Sequence, residues 1–221
     1  MCGRFTLTTN LGAIAKRFGV ARFLEEVGPR YNIAPTQTVI VVSADGARHL
    51  TEMRWGLIPS WAKDPAIGNR MINARAETVA TKPAFRAALR KRRCLILADG
   101  FYEWQPVGRR KQPVYITLKT REPFSFAGLW ESWTSPDREE MKTCTIITTE
   151  ANELLKPIHD RMPVILVKDA EAIWLDPTMQ EPERLLSHLK PYPSDEMEVY
   201  PVSAKVNSPA NDGPGCIQPL L

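Results

Sequence analysis

Apolar and polar positions along this chain change period several times, and each change marks an element. Leu11, Ile14, Ala15 and Phe18 recur at the spacing of a helix with one buried face, and Thr8, Thr9 or Asn10 can cap it. The pattern predicts a short strand over 1–8 and a helix reaching about Gly19. Tyr31 to Pro35 is a non-helical approach to Thr38–Ser43, a β-branched run, and Asp45-Gly46 is a hairpin signal returning the chain through 49–56. From Pro59 to Asn73 the pattern is irregular, with Trp61, Pro65, Gly68 and Asn69, and irregular segments of that length in compact chains tend to be functional. Helical spacing returns over 82–92. An apolar strand Cys94–Ala98, an Asp99-Gly100 turn, and strands near 101–105, 113–119, 124–130 and 143–149 follow. A short helix is expected at 151–156, a strand at 163–168, helices near 169–175 and 181–189, and a last strand at 197–203. The tail, 207–221, carries Pro209, Pro214 and Pro219 and reads as an extended strap.

Strands in hairpin-like succession, without βαβ alternation, predict an α+β fold rich in antiparallel sheet with helices at its periphery. No internal repeat, low-complexity tract or linker divides the 221 residues, so a single domain over 1–221 is expected. No apolar run approaches the ~20 residues that span a bilayer, and the N-terminus lacks a signal-peptide pattern. The expectation is a cytoplasmic chain with no membrane partner. Cys2, Cys94, Cys144 and Cys216 lie far apart with no C-x-x-C pair, which suggests neither a metal site nor a disulfide scaffold. The net charge of +4 is only mildly basic, but Arg86, Arg90, Lys91, Arg92 and Arg93 form one cluster and Arg109-Arg110-Lys111 another. A solvated face explains either run taken alone.

Loss of Met1 would leave Cys2 with an amine and a thiol on adjacent carbons. An α-amine titrates near about 7.7–8.0, so part of it is neutral and nucleophilic at neutral pH. Such a 1,2-aminothiol condenses with an aldehyde to an imine and then closes to a thiazolidine; the bland alternative is an ordinary small residue after the start. Asn73 and Arg75 alternate with Ala74 and Ala76 on one side of an extended segment. A neutral hydrogen-bonder and a phosphate-type fork are thereby paired, unless Asn73 satisfies its own backbone and Arg75 pairs with Glu77. Glu103 stands between Tyr102 and Trp104 on an expected strand, where desolvation would raise its pKa toward that of an acid–base; the alternative is a surface glutamate opposite a lysine. His159 lies in the proline-bracketed stretch Pro157–Pro163 and titrates near neutrality, unless it is structural and Asp160-Arg161 is a plain ion pair. His49 and His188 sit in ordinary polar contexts.

Six blocks in order, Met1–Phe5, Arg30–Pro35, Trp55–Pro59, Asn73–Thr78, Ala98–Trp104 and Ile158–Pro163, resemble the SRAP domain family over nearly the whole chain. That resemblance implies a barrel-like core and an activity on abasic sites in single-stranded DNA, including single-strand/double-strand junctions, linked to the DNA damage and SOS responses. It implies a thiazolidine crosslink through Cys2, with Asn73 orienting the sugar and N-terminus. Glu103 would shuttle protons in imine formation, Met1 removal and crosslink reversal, and His159 would assist ring opening. Arg4, Arg75 and Arg161 fall where the family contacts phosphates, Trp61 where a base stacks, and Pro35 and Thr148 along the DNA path. No metal or organic cofactor is implied, and a monomer, associated with the nucleoid in a bacterium, is expected. The loop after Pro59 has one tryptophan where the family pattern has a pair, and the stretch 204–208 matches only loosely. The competing readings are a cysteine peptidase using Cys2 with His159 and Glu103, and a module that binds single-stranded DNA without catalysis.

Overall fold

The computed structural model describes residues 2–20, 27–44 and 47–220. Strand β1 (Phe5–Leu7) leads into α1 (Leu11–Phe18), then β2 (Arg30–Ile33), β3 (Thr38–Ala44) and β4 (Arg48–Trp55). A 3-10 turn at Pro65–Arg70 precedes β5 (Asn73–Arg75), α2 (Arg86–Lys91) and β6 (Arg93–Ala98). Next come β7 (Gly100–Val107), β8 (Arg110–Leu118), β9 (Phe124–Thr134), β10 (Glu140–Glu150) and β11 (Arg161–Pro163). The chain ends with α3 (Lys168–Leu175), α4 (Pro182–Leu186), β12 (Met197–Pro201) and short 3-10 turns in the tail. The fold is α+β, as the alternating pattern predicts.

The strands form two sheets. One runs in the order β12-β8-β7-β1-β2. In the other, β10-β4-β3-β6-β9 closes on itself because β9 also pairs with β10 over Glu140–Ile146, while β5 and β11 attach along β10. Closure removes free edges and gives the barrel-like core. Antiparallel pairs dominate, but β10 runs parallel to both β4 and β5. Phe5, on the first sheet, packs its ring against Trp55 and Phe126 of the second at centroid distances of 5.1 and 5.7 Å. Edge-to-face contacts of this kind add to plain burial, so the N-terminal strand is fixed between the sheets by its own aromatic residue.

Helix α1 forms as its pattern requires: the Asn10 side chain accepts the Ala13 N–H at 2.9 Å, and Gly19 closes the C-terminus at φ 64°. The Asp45-Gly46 turn lies outside the described residues. Three local expectations are corrected. Asp99-Gly100 is not a hairpin turn but the point where the chain passes from β6 to β7 in the other sheet. Asp99 carboxylate oxygens accept from the Thr6, Thr8 and Thr9 hydroxyls and from the Thr8 and Thr9 amides. Gly100 is required there, since a Cβ would meet the Tyr115 hydroxyl at 2.0 Å. Residues 151–156 form turns rather than a helix, because the Asn152 side chain accepts from Leu155 and donates to the distant Tyr192 carbonyl. The strand expected at 163–168 is instead β11 at Arg161–Pro163, followed by one bridge at Ile165.

Candidate functional site

The expected residues gather where the two sheets meet. Cys2 and Arg4 precede β1, and Glu103 lies on β7, its neighbour in the first sheet. Asn73 and Arg75 lie on β5, which pairs with β10 so that Arg75 stands opposite Thr148. Arg161 opens β11 on the other side of β10, opposite Glu150. A hydrogen bond joins the halves: Asn73 Nδ2 donates to the Cys2 carbonyl at 2.8 Å. The Asn73 Oδ1 is buried and has no hydrogen-bond partner among the described residues, so the amide has acceptor capacity to spare beside Cys2.

Cys2 is fully buried. Burial pushes its thiol well above the ordinary value, and the nearby Glu103 carboxylate adds to the effect. Glu103 is itself only 5% exposed. Desolvation raises its pKa from 4.5 to about 7; Asp160 acts in the same direction and Lys111 opposes it. The expectation of a desolvated strand glutamate is therefore met, in a place where a carboxyl can both give and take a proton at neutral pH.

The His159 ring sits half-buried on the turn before β11. The Arg161 N–H donates to its Nδ1 at 3.0 Å, and Asp160 Oδ1 lies 2.8 Å from the same nitrogen. A nitrogen that accepts the amide proton cannot also carry one toward Asp160, so the two contacts belong to different protonation states. The pKa of His159 is lowered, chiefly by burial and further by Lys111 and Arg161, against Asp160. The neutral ring, with Nδ1 as acceptor, is thus the form favoured at neutral pH. Arg161 makes its ion pair with Glu77, and Asp160 reaches His159 only when the ring is protonated.

The basic residues divide into two groups. Arg75 is exposed, and its side chain has no hydrogen bond or ion pair among the described residues. Arg161 is engaged: it binds Glu77 through both carboxylate oxygens at 2.5 and 3.0 Å and the Thr148 carbonyl at 2.7 Å. Glu77 therefore pairs with Arg161 rather than with Arg75, and its pKa is lowered by that hydrogen bond. Arg4 is engaged too, donating to Asn32 Oδ1 and to the Val206 carbonyl, both at 2.7 Å, with its guanidinium 5.8 Å from the Trp104 ring centre. Thr148 is fully buried, and Pro35 is half-buried at a turn where Thr36 adopts φ 73°. Trp61 is 61% exposed, on a loop tethered by the Trp133 indole N–H to the Ala62 carbonyl at 2.7 Å.

Sequence reasoning passed over Asn32 and Asp212. The buried Asn32 amide donates to Val206, Ser208 and Asn211 carbonyls, and Asp212 accepts from the Tyr31 and Asn32 amides and from Arg30. Together with Arg4 they fasten the tail against β2 and the segment that leads into β1. The only sequence signal was Asn32 itself, a polar residue inside the apolar stretch Tyr31–Ala34. Among the described residues no group of three or more His, Cys, Asp or Glu could hold a metal ion, and no helix is long and apolar enough to cross a membrane. All four cysteines are free and buried.

The chain that carries this site has counterparts among known proteins. Residues 1–209 match the family model described as SOS response associated peptidase (SRAP), and the chain belongs to the SRAP family. It is 50% identical over 222 residues, 99% of each chain, to the abasic site processing protein YoqW of Bacillus subtilis strain 168. It is 36% identical to the abasic site processing protein HMCES of Gallus gallus, covering 87% of this chain and 66% of that one. A crystal structure of a protein from Bacteroides thetaiotaomicron superposes over the whole of both chains with a TM-score of 0.90 at 29% identity.

Proposed function

We propose that this protein captures abasic sites in single-stranded DNA by covalent attachment through Cys2. The carrying observation is the contact of Asn73 Nδ2 with the Cys2 carbonyl, next to a glutamate that titrates near 7. Once Met1 is lost, the Cys2 amine adds to the C1′ aldehyde of the ring-opened deoxyribose and water leaves, giving an imine. Cys2 Sγ then adds to the imine carbon while its proton passes to the nitrogen, closing a thiazolidine. The net change is one water released for one C–N and one C–S bond formed.

Each step moves a proton, and Glu103 is suited to both directions: as an acid for water loss, as a base for a thiol that burial keeps protonated. Neutral His159 serves ring opening of the sugar. Asn73 fixes the Cys2 main chain and offers its free Oδ1 toward the reacting groups. Arg75 gives a phosphate contact, and Trp61 a stacking surface. A peptidase acting in trans is less well supported, since thiol proteases use a ready thiolate and burial here opposes one. Met1 removal and crosslink reversal fall to the same Glu103.

A denaturing gel after incubation with an abasic-site oligonucleotide tests the reading. Wild-type protein should give a heat-stable covalent band, and Cys2→Ala or an uncleavable N-terminal tag should abolish it. A band retained by Cys2→Ala would exclude the thiazolidine.

A further inference from the structure

In the first basic run Arg86, Arg90 and Lys91 stay exposed while Arg92 and Arg93 are drawn into the fold, whereas the second run is exposed throughout. In the first, Arg92 pairs with the buried Glu131 at 2.7 Å. Arg93 is buried and donates to the carbonyls of Leu89, Arg90, Trp174 and Asp176, tying the ends of α2 and α3 together. Those guanidinium groups are spent on the protein's own structure. In the second run, Arg109, Arg110 and Lys111 are all exposed, and none has an ion pair or side-chain hydrogen bond among the described residues. They occupy the tip of the β7–β8 hairpin, where Val107 pairs with Arg110 and Pro106 with Lys111 across a turn made by Gly108 at φ 59°.

The position of this hairpin matters more than its charge. Strand β7 holds Glu103 midway along its length and reaches Val107, 57% exposed, at its end. Four residues of strand span about 13 Å, so the tip stands off from Glu103 by about that distance along β7. No acidic residue interrupts 104–112. Strand β7 carries both Glu103 and the tip, and Lys111, paired with Pro106 beside the turn, bears on both Glu103 and His159, which ties the hairpin to the site.

We propose that the β7–β8 hairpin is a backbone-binding arm: Arg109, Arg110 and Lys111 hold the phosphates of the nucleic acid strand that flanks the lesion. The inference rests on the nucleic-acid reading of the Cys2 site and adds a contact surface to it. Three exposed cations with no acidic residue among them favour a polyanion laid across them without sequence preference, and the exposed Val107, paired with Arg110, gives the sugar an apolar surface beside them. The arm lengthens the footprint beyond the residues around Cys2.

The test uses the full chain and an abasic analogue with a tetrahydrofuran in place of the sugar, which has no aldehyde and reports binding without crosslinking. Fluorescence anisotropy is measured against salt for a short oligonucleotide ending just past the analogue and a long one extending well beyond it. Arg109→Ser/Arg110→Ser, which leaves Lys111 in place, should lower the salt slope on the long strand by about 1.4, two contacts at about 0.7 each. On the short strand it should bind with the wild-type slope. Arg109→Lys/Arg110→Lys should keep the wild-type slope on both, which separates lost charge from a disturbed hairpin. An unchanged slope for the serine variant on the long strand overturns the arm, and leaves its charge to solvent or an acidic protein. An equal loss on both strands also overturns it. Crosslinking by the wild-type protein to an aldehyde-bearing oligonucleotide is scored separately. Failure there, with the slope change intact, removes the Cys2 chemistry and leaves the arm.

Discussion

Two buried glutamates, one on α3 and one on β7, show that burial alone does not decide what a carboxyl does. Glu171 on α3 is 2% exposed, and Glu103 on β7 is 5% exposed. Glu171 is gripped by both terminal nitrogens of Arg17 at 2.9 and 3.0 Å and accepts the Ser125 hydroxyl at 2.9 Å. It bolts helix α1 to helix α3 across strand β9 and has nothing left to give. At Glu103 desolvation prevails over the nearby positive charge, so its pKa climbs to about 7. Depth alone therefore says little about chemistry. A buried carboxylate clamped by a guanidinium is a structural part, whereas one left near neutrality can exchange protons with whatever stands beside it.

The comparison breaks most visibly in rate. Glu103→Gln keeps the shape of the side chain and removes its proton, and should slow crosslink formation, reversal or Met1 removal by about 10²–10⁴-fold. Glu171→Gln should leave those single-turnover rates within a small factor of wild type wherever the protein is folded. Single-turnover kinetics on fully processed protein, checked by mass spectrometry for residual Met1, decides it. Equal rates for wild type and Glu103→Gln would return Glu103 to the rank of an ordinary strand residue.

Stability should move the other way. Glu171→Gln leaves Arg17, itself mostly covered, without its counter-charge, and one-sided loss of a buried pair costs about 3–5 kcal/mol. A clear fall in the urea midpoint is expected. Glu103→Gln should stabilise the protein, in a pH-dependent way. The folded pKa of about 7 lies above the ordinary 4.5, so the folded state binds more protons than the unfolded one between those values. Below about 4.5 the group is neutral in both states and costs nothing. As pH rises from there to 7 the wild type loses stability, by about 3 kcal/mol at most. The glutamine variant should lack that slope, and urea titrations across this window should separate the two curves only toward neutral pH. Parallel curves would mean that Glu103 is solvated in solution.

How much of this contrast was legible in the sequence depends on how far apart the partners lie. The α1 helix, its Asn10 cap and the strand succession follow from neighbours within a few residues, and the sequence pattern predicts them. Glu103 was recognisable as a carboxyl in an apolar strand segment, although Tyr102 and Trp104, its neighbours in the chain, alternate to the other face and pack with the tail. The fate of Arg4 was not: its partners, Asn32 and Val206, are 28 and 202 residues away. Nothing local marked Arg161 as the partner of Glu77, 84 residues distant, or Arg93 as an interior tie between helices. The expected helix at 151–156 failed for the same reason, since Asn152 bonds to Tyr192, 40 residues on. Residue types revealed which groups could do chemistry, but only long-range packing reveals which of them are already occupied.

Arg161 offers the finest test of that distinction, because its occupant sits at the surface. Its side chain is 14% exposed and that of Glu77 is 51% exposed, so water screens the pair and its worth to folding is about 1 kcal/mol or less. The pKa of Glu77 is depressed by the Arg161 hydrogen bond, so this contribution is present above the ordinary carboxylate range and fades as pH falls through the depressed value. If a phosphate and Glu77 compete for the same guanidinium, Glu77→Gln should tighten binding to a single-stranded oligonucleotide several-fold at low salt. Arg161→Ala should weaken it and reduce the salt slope by about 0.7, and the double variant should behave like Arg161→Ala alone. Anisotropy titrations over a salt series measure all three. Should Glu77→Gln bind no more tightly than wild type while Arg161→Ala keeps the full slope, Arg161 belongs with Arg17 and Arg93 among the residues that hold the fold, and Arg75 remains as the phosphate contact on this face.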